Sequence, residues 1–339
     1  MTWIDTTDIC PNTFGRARVL ETVPFMTRHD AALLRHNSLY TPGGVLLTES
    51  TYSAGVNVEG VFDYQVYAPM FIAADMPGTA PEMDMPGESF WIGYFHTHFG
   101  HFLTSTLQRL WALDRLGQRP QWYIAPTYAG TQRAGGFIDV IMSSLGIDRD
   151  KILSPPENTM IRQVTVAESG FVENAHCYTL WGHFMREIGQ RLLGDHRQQP
   201  STRPVFLSRS DAHDATRSYE GEALLCSLLE EIGVEICHPQ NLSIRDQLAL
   251  WESHTVFIGF SGSAFLNAAF FRDKSVLILN HDGYIFGTQR MIDELCGNKA
   301  LYLDVSPFLN RDESNPHRYR ITDHGSLTHT IIATLRTML

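Results

Sequence analysis

The stretch WIGYFHTHFGHFL, residues 91–103, brings His96, His98 and His101 together at the end of an apolar run. Clustered imidazoles hold a metal, move protons, or line a polar edge of the core. The spacing His96-x-His98-x-Gly100-His101 is one residue from the H-x-H-x-D-H pattern that ligates zinc in a class of hydrolases, but Gly100 stands where that pattern needs aspartate. A catalytic zinc takes three placed protein ligands. The further histidines His176 and His183 lie in a long helical pattern from Asn174 to Leu193, without matching context. Zinc hydrolysis therefore stays an alternative, and polar lining of a strand end is the plainer account of His96 and His98. His101 has the stronger case for proton transfer. It falls in the first turn of a predicted helix, where the dipole disfavours imidazolium and is expected to lower its pKa, leaving a neutral ring that accepts a proton. Helix capping is the alternative for His101.

A second set of residues suits an anion. GFSGSA, residues 259–264, follows a buried strand pattern. Small residues at Ser261, Gly262 and Ser263 let amide groups at a helix start approach a negative charge. Arg209 follows the strand pattern PVFLS, and Arg217 shares its strand-to-helix loop. Two guanidinium groups and a helix start make a pyrophosphate cradle, although any tight strand-to-helix turn uses small residues and isolated arginines are usually solvated. Glu222 reads as orienting Arg217, as binding a sugar hydroxyl, or as a dipole partner in its own helix. Gln247 suits nucleobase reading or a local cap, and Asn267 suits ligand contact or a bridge to the next strand.

The elements that position these groups come from 339 residues, more than one core usually fills, so two domains are expected. Hydrophobic residues are 43% and charged residues 19% of the chain, the balance of a soluble globular protein. A formal charge of -11 gives no general attraction to phosphate backbones or anionic lipid, so nucleic acid is not an expected partner. The start MTWIDTTDIC has no basic segment leading into an apolar one, and no integral membrane segment of about 18 apolar residues follows. A cytoplasmic location is the resulting expectation. Five scattered cysteines without a C-x-x-C pair read as reduced and structural.

Residues 1–88 look β-rich: GVLLTESTYSAGVNVEGVFDYQVY alternates as strands do, and DMPGTAPEMDMPGE reads as a Pro/Gly loop. From Ser89 onward strand and helix patterns alternate. SFWIGYF reads as a strand, Phe99 to Leu116 as a helix closed by Gly117, QWYIA as a strand, and Gln132 to Leu145 as a helix before Gly146. This order predicts a parallel sheet, and Leu103, Leu107, Leu110 and Leu113 predict one buried helical stripe. GDHRQQPSTRP, residues 194–204, is the expected linker between a domain over 1–193 and a second over 205–339. In the second, PVFLS, VEIC, TVFIGF and SVLILN read as strands, and a helix from Tyr219 to Ile232 stops at Gly233. Ser243 and Asp246 form a capping box for a helix running to Ser253.

Residues 206–271 resemble the C-terminal core of glycosyltransferase family 61, with Ser208, Arg209, Arg217, Glu222, Gly233, Gln247, Gly262 and Asn267 at positions of that family's pattern. FGHFLTSTLQRLWAL is similar to its helix-opening Gly-His segment, with Gly100, His101 and Arg109 in register. Departures stand at Gly221 for asparagine, Asp246 for glutamate, Ser261 for histidine, and Ser105 for an acidic residue. The resemblance implies an α/β, GT-B-like fold of two facing Rossmann-like domains with parallel sheets, beside the β-rich N-terminal segment. It also implies an inverting glycosyltransferase that needs no metal or other cofactor. The donor is then a nucleotide-sugar, a UDP-sugar first, and the acceptor a hydroxyl of a cell-surface glycan or glycolipid. His101 becomes the catalytic base, His98 and Gly100 the acceptor side, and Arg209, Arg217, Glu222, Gln247, Ser261, Gly262, Ser263 and Asn267 the donor side. The departures leave open a transferase-like protein that binds nucleotide or glycan without catalysis.

Overall fold

The computed structural model describes residues 13–51, 80–129, 136–196, 198–210, 217–281 and 283–338. The chain is a mixed α/β protein that divides into two compact units, Gly15–Ile188 and Gly189–Leu339, the second also taking in Thr13–Phe14.

Seven strands of the first unit form one sheet: β1 Met26–His29, β2 Ala32–Arg35, β3 Ser38–Tyr40, β4 Met83–Trp91, β5 Trp122–Ile124, β6 Ile152–Leu153 and β7 Thr159–Ala167. β4 pairs in parallel with β7 on one side and β5 on the other, and β5 pairs in parallel with β6. β1 and β2 pair antiparallel with the free edge of β7, and β3 with β2. Trp91, Ile124, Ile161, Val164 and Val166 fill the core beneath.

The Pro/Gly loop expected over 75–88 is only partly present. Its first residues, 75–79, lie outside the described ones, and 83–88 belong to β4. The register with β7 shifts between Met85 and Glu88. That bulge absorbs Pro86, which has no N–H for the ladder, and Gly87, whose φ is 91. Of the alternating stretch from Gly44, Thr48–Ser50 forms a 3₁₀ turn, and residues 52–67 lie outside the described ones. The strand expected to continue to Phe95 stops at Trp91, and Gly93, at φ 84, turns the chain away.

The helix expected from Phe99 is continuous but irregular, with an α turn Phe99–His101, a π-type stretch Phe102–Thr106 and 3₁₀ winding Leu107–Arg115. It is also buried all round in its middle, contrary to a single stripe, because Gln108 and Arg109 are buried alongside the leucines. Arg109 Nε donates to Ala167 O at 3.0 Å, and Nη2 donates to Glu49 O at 2.9 Å and Thr51 O at 2.6 Å. Backbone carbonyls thus satisfy a charge no pattern of apolar spacing anticipates. The next helix is described over Gly136–Ser144, and the residues of its expected start, 132–135, lie outside the described ones. The helix expected from Asn174 begins at Thr179, since His176–Tyr178 pairs as a strand with Arg18–Leu20 and with Phe171–Val172.

The second unit holds a five-stranded, wholly parallel sheet of β8 Val205–Leu207, β9 Glu235–Cys237, β10 Val256–Phe260, β11 Ser275–Asn280 and β12 Lys299–Asp304, in spatial order β9-β8-β10-β11-β12. Every residue of β10 is buried, as its unbroken apolar run requires. The helix after β8 starts at Glu222 and not at Tyr219, because Ser218–Glu220 pairs with Arg318–Ile321 and Gly221, at φ 92, turns the chain. Gly233 ends that helix at φ 93. Ser243 accepts from Asp246 N at 3.2 Å, closing the expected cap. After β10 the chain forms a 3₁₀ helix, Ser263–Phe270.

Candidate functional site

In the first unit, the loop after β4 is fastened at both ends of its turn. Phe95 N donates to Thr127 Oγ1 at 2.8 Å, and His96 N donates to Thr106 Oγ1 at 2.7 Å. Phe102 N reaches back to His98 O at 2.8 Å, which makes exposed His98 the residue that precedes the helix. Gly100 is buried in the first turn, and its carbonyl accepts from Thr104 Oγ1 at 3.0 Å. His101 is therefore carried on a fixed helix start and is not the cap.

The ring of His101 is met by a residue that sequence reasoning missed. Its Nδ1 lies 2.8 Å from Glu173 Oε1. The same oxygen accepts from Ser105 Oγ at 2.9 Å and, by a short contact, from Thr104 Oγ1. Glu173 occupies a tight turn between Phe171–Val172 and His176–Tyr178, where Ala175 N donates to Val172 O at 3.1 Å and Asn174 takes φ 53, a conformation asparagine tolerates. Gly170 lets this hairpin press on the helix: a Cβ there would sit 2.9 Å from Trp111 Cδ1 and 3.1 Å from Gln108 O.

These contacts reverse the expected titration of His101. Burial favours the neutral ring, but the hydrogen bond and negative charge of Glu173 outweigh it, and the pKa is raised. Burial likewise pushes Glu173 up, and the donors His101, Thr104 and Ser105 bring it below the ordinary carboxylate value. The dipole of one short helical turn is a weaker influence than a carboxylate in contact. Ser105, at the position where the resemblance has an acidic residue, donates to the carboxylate of Glu173.

His96 and His98 gather round the same ring, with centroids 4.9 Å and 5.5 Å from that of His101. Burial and then the neighbouring His101 push His96 down to about 4, against the pull of Glu173, so it is neutral at neutral pH. Among the described residues no three His, Cys, Asp or Glu side chains meet as a metal site requires, so the zinc reading gains no ligand set. His176 lies in a strand and His183 in the helix Thr179–Leu193. One D-x-D triplet, Asp148-Arg149-Asp150, occurs in an exposed turn before β6, where Asp148 pairs with Lys151 at 3.7 Å and Arg149 with Asp139 at 3.8 Å.

In the second unit, the sequence order 2-1-3-4-5 of the parallel strands reverses direction between β8 and β10. Ligands of open parallel sheets bind outside the carboxyl ends of the strands at such a switch point. Arg209 leaves β8 and Ser261-Gly262-Ser263 leaves β10 at that place. They touch: a Cβ built on Gly262 would lie 2.4 Å from Arg209 Nη2. Ser261 N is taken by Leu279 O at 2.9 Å, while Gly262 and Ser263 open the 3₁₀ helix. Arg217 lies over the Phe286 ring at 5.8 Å. Burial raises the Tyr219 hydroxyl, and both Arg209 and Arg217 oppose that rise, so both carry their charge toward Tyr219. The Tyr219 hydroxyl in turn sits 2.7 Å from His281 Nδ1.

Glu222 is engaged by the backbone of Arg209. Its buried carboxylate accepts from Arg209 N at 2.9 Å, and burial raises its pKa despite that bond. Gln247 caps locally, donating to Pro239 O at 2.9 Å, and its oxygen accepts from Asn267 Nδ2 at 2.9 Å. Asn267 therefore bridges to the helix Ile244–Ser253 and not to the next strand. These two amides brace the segment behind Gly262, while Arg209 meets Gly262 at the switch point and Glu222 accepts from the Arg209 backbone.

Among the described residues no helix is long and apolar enough to cross a membrane. Comparison with curated proteins gives no match. The family model described as Glycosyltransferase 61 matches residues 99–278, more than half of the 339 residues, from the helix of His101 to the strand β11, and the chain belongs to that glycosyltransferase family.

Proposed function

We propose that the protein is an inverting, GT-B-type glycosyltransferase that moves a sugar from a nucleoside diphosphate, UDP first, to a hydroxyl of a cell-surface glycan or glycolipid in the cytoplasm. The observation that carries the donor assignment is the contact of Arg209 with Gly262 at the switch point of a parallel sheet. Arg209 and Arg217 neutralise the diphosphate as it leaves, assisted by the amides that open the 3₁₀ helix. Charge stabilisation then comes from guanidinium groups, which supports a metal-independent reaction. The region over 205–339 holds the donor, and the region over 1–193 the acceptor.

His101 is the base. As the acceptor oxygen attacks the anomeric carbon, its proton passes to the imidazole, the new C–O bond forms with inversion, and the bond to the diphosphate breaks with its electron pair. The raised pKa makes His101 a stronger base once deprotonated, and confines full activity to neutral and alkaline pH. The test is a thermal-shift screen against nucleoside diphosphates and their sugars, followed by transfer to mixed glycan acceptors with the product's anomeric configuration read by NMR. Stabilisation by UDP and an inverted product are expected. A retained configuration refutes the mechanism, and nucleotide binding without transfer or donor hydrolysis favours a non-catalytic binding protein.

A further inference from the structure

We propose that Glu173 is the positioning residue of this reaction: bound by Thr104 and Ser105, its carboxylate holds the Nδ1–H tautomer of His101 and aims the Nε2 lone pair at the acceptor hydroxyl. The proposal rests on the reading of His101 as the base. Its observations are geometric. Three donors converge on one oxygen, Glu173 Oε1, from His101 at 2.8 Å, Ser105 at 2.9 Å and Thr104. Glu173 is 6% exposed, and a carboxylate taken so far from water stays ionised only with such partners. A carboxylate accepts and never donates, so the ring nitrogen facing it carries the hydrogen and the lone pair stands on Nε2.

The hairpin bearing Glu173 is set by its own contacts. Gly170 N donates to Gln108 O at 2.7 Å, and Tyr178 N donates to Gly170 O at 2.9 Å, so the turn is clamped to the helix of His101. Among the described residues, the rings of His96 and His98 also face His101. His96 is neutral across the working range, and Glu173 is the carboxylate in contact with the His101 ring. In the step itself the acceptor proton moves to Nε2, the O–H electron pair becomes the new glycosidic bond, and the old bond's pair departs on the diphosphate. Glu173 stays ionised throughout and faces the imidazolium that forms.

The experiment uses the full chain. Glu173→Gln keeps the shape and an accepting oxygen but removes the charge, so a purely structural carboxylate loses little. We expect the NMR-titrated pKa of His101 to fall, the acid limb of the kcat profile to move to lower pH, and kcat at neutral pH to fall about tenfold to hundredfold with donor KM unchanged. Thr104→Val, which leaves Glu173 and His101 in place and removes one donor, is expected to perturb the His101 titration less, and reports even if the glutamine variant fails to fold. An unaltered His101 pKa in both variants overturns the role of Glu173. A lowered pKa with an unaltered transfer rate overturns instead the reading of His101 as base.

Discussion

Gly262→Ala tests the donor site without touching a charge. Gly262 has φ 171 and ψ 176, extended backbone that alanine adopts freely, so the substitution brings no strain of its own. The added Cβ would stand 2.4 Å from Arg209 Nη2 and 3.2 Å from its Cζ. Carbon contacts are comfortable from about 3.5 Å, so the guanidinium must retreat by about 1 Å. It can do so, being the far end of a flexible side chain, and the fold should keep its melting temperature. A hydrogen bond from a charged donor to diphosphate is worth about 1.5–3 kcal/mol, so losing it weakens UDP binding by about ten- to 150-fold. Calorimetric titration of UDP into wild type, Gly262→Ala, Arg209→Ala and the double variant measures this. In the Arg209→Ala background the glycine substitution should cost little more, because the group it displaces is already gone. UDP affinity unchanged in Gly262→Ala, or fully additive losses in the double variant, would refute the reasoning.

Two other expectations concern the histidine region. Arg109→Lys removes the planar fork that binds the carbonyls of Ala167, Glu49 and Thr51, and should cost about 3 kcal/mol of stability, read as a lower melting temperature with UDP affinity intact in the folded fraction. An unchanged melting temperature would contradict it. His96, pushed down to about 4 by burial and by His101, is less easily protonated folded than unfolded. Its contribution is complete above the unfolded value of 6.5 and is lost as pH falls from there toward 4. His96→Asn should therefore flatten the dependence of urea-unfolding free energy on pH across that window, by at most about 3 kcal/mol. Equal slopes in the two proteins would count against it.

Where local chemistry alone decides structure, it was readable. The apolar run of Val256–Phe260 became a wholly buried parallel strand, Ser243 capped its helix through Asp246 N, and Gly233 ended the preceding one. The failures share a cause, which is that a remote partner decided them. Met83–Glu88 looks like a loop because of Pro86 and Gly87, yet β7 recruits it through a bulge. Tyr219–Glu220 and His176–Tyr178 fall inside helical patterns because their strand partners lie far along the chain. Glu173 had no local signature at all, arriving beside His101 from 72 residues away. The one local trace is Ser105, a hydroxyl where the resemblance has an acidic residue, and it names no partner. The same omission inverted the expected titration of His101, since only the helix start had been counted.

The π-type winding of Phe102–Thr106 has a consequence for how this region tolerates change. Consecutive residues of a regular α-helix diverge by about 100°, yet Thr104 and Ser105 both reach one oxygen of Glu173 from a wider turn, which accommodates one more residue than an α turn. Deleting a single residue there would rewind the segment and rotate everything that follows, including Arg109 with its three carbonyls. Length, more than composition, is the property that inheritance must preserve between His101 and Arg109, and gaps in that interval should be rarer among functioning descendants than substitutions.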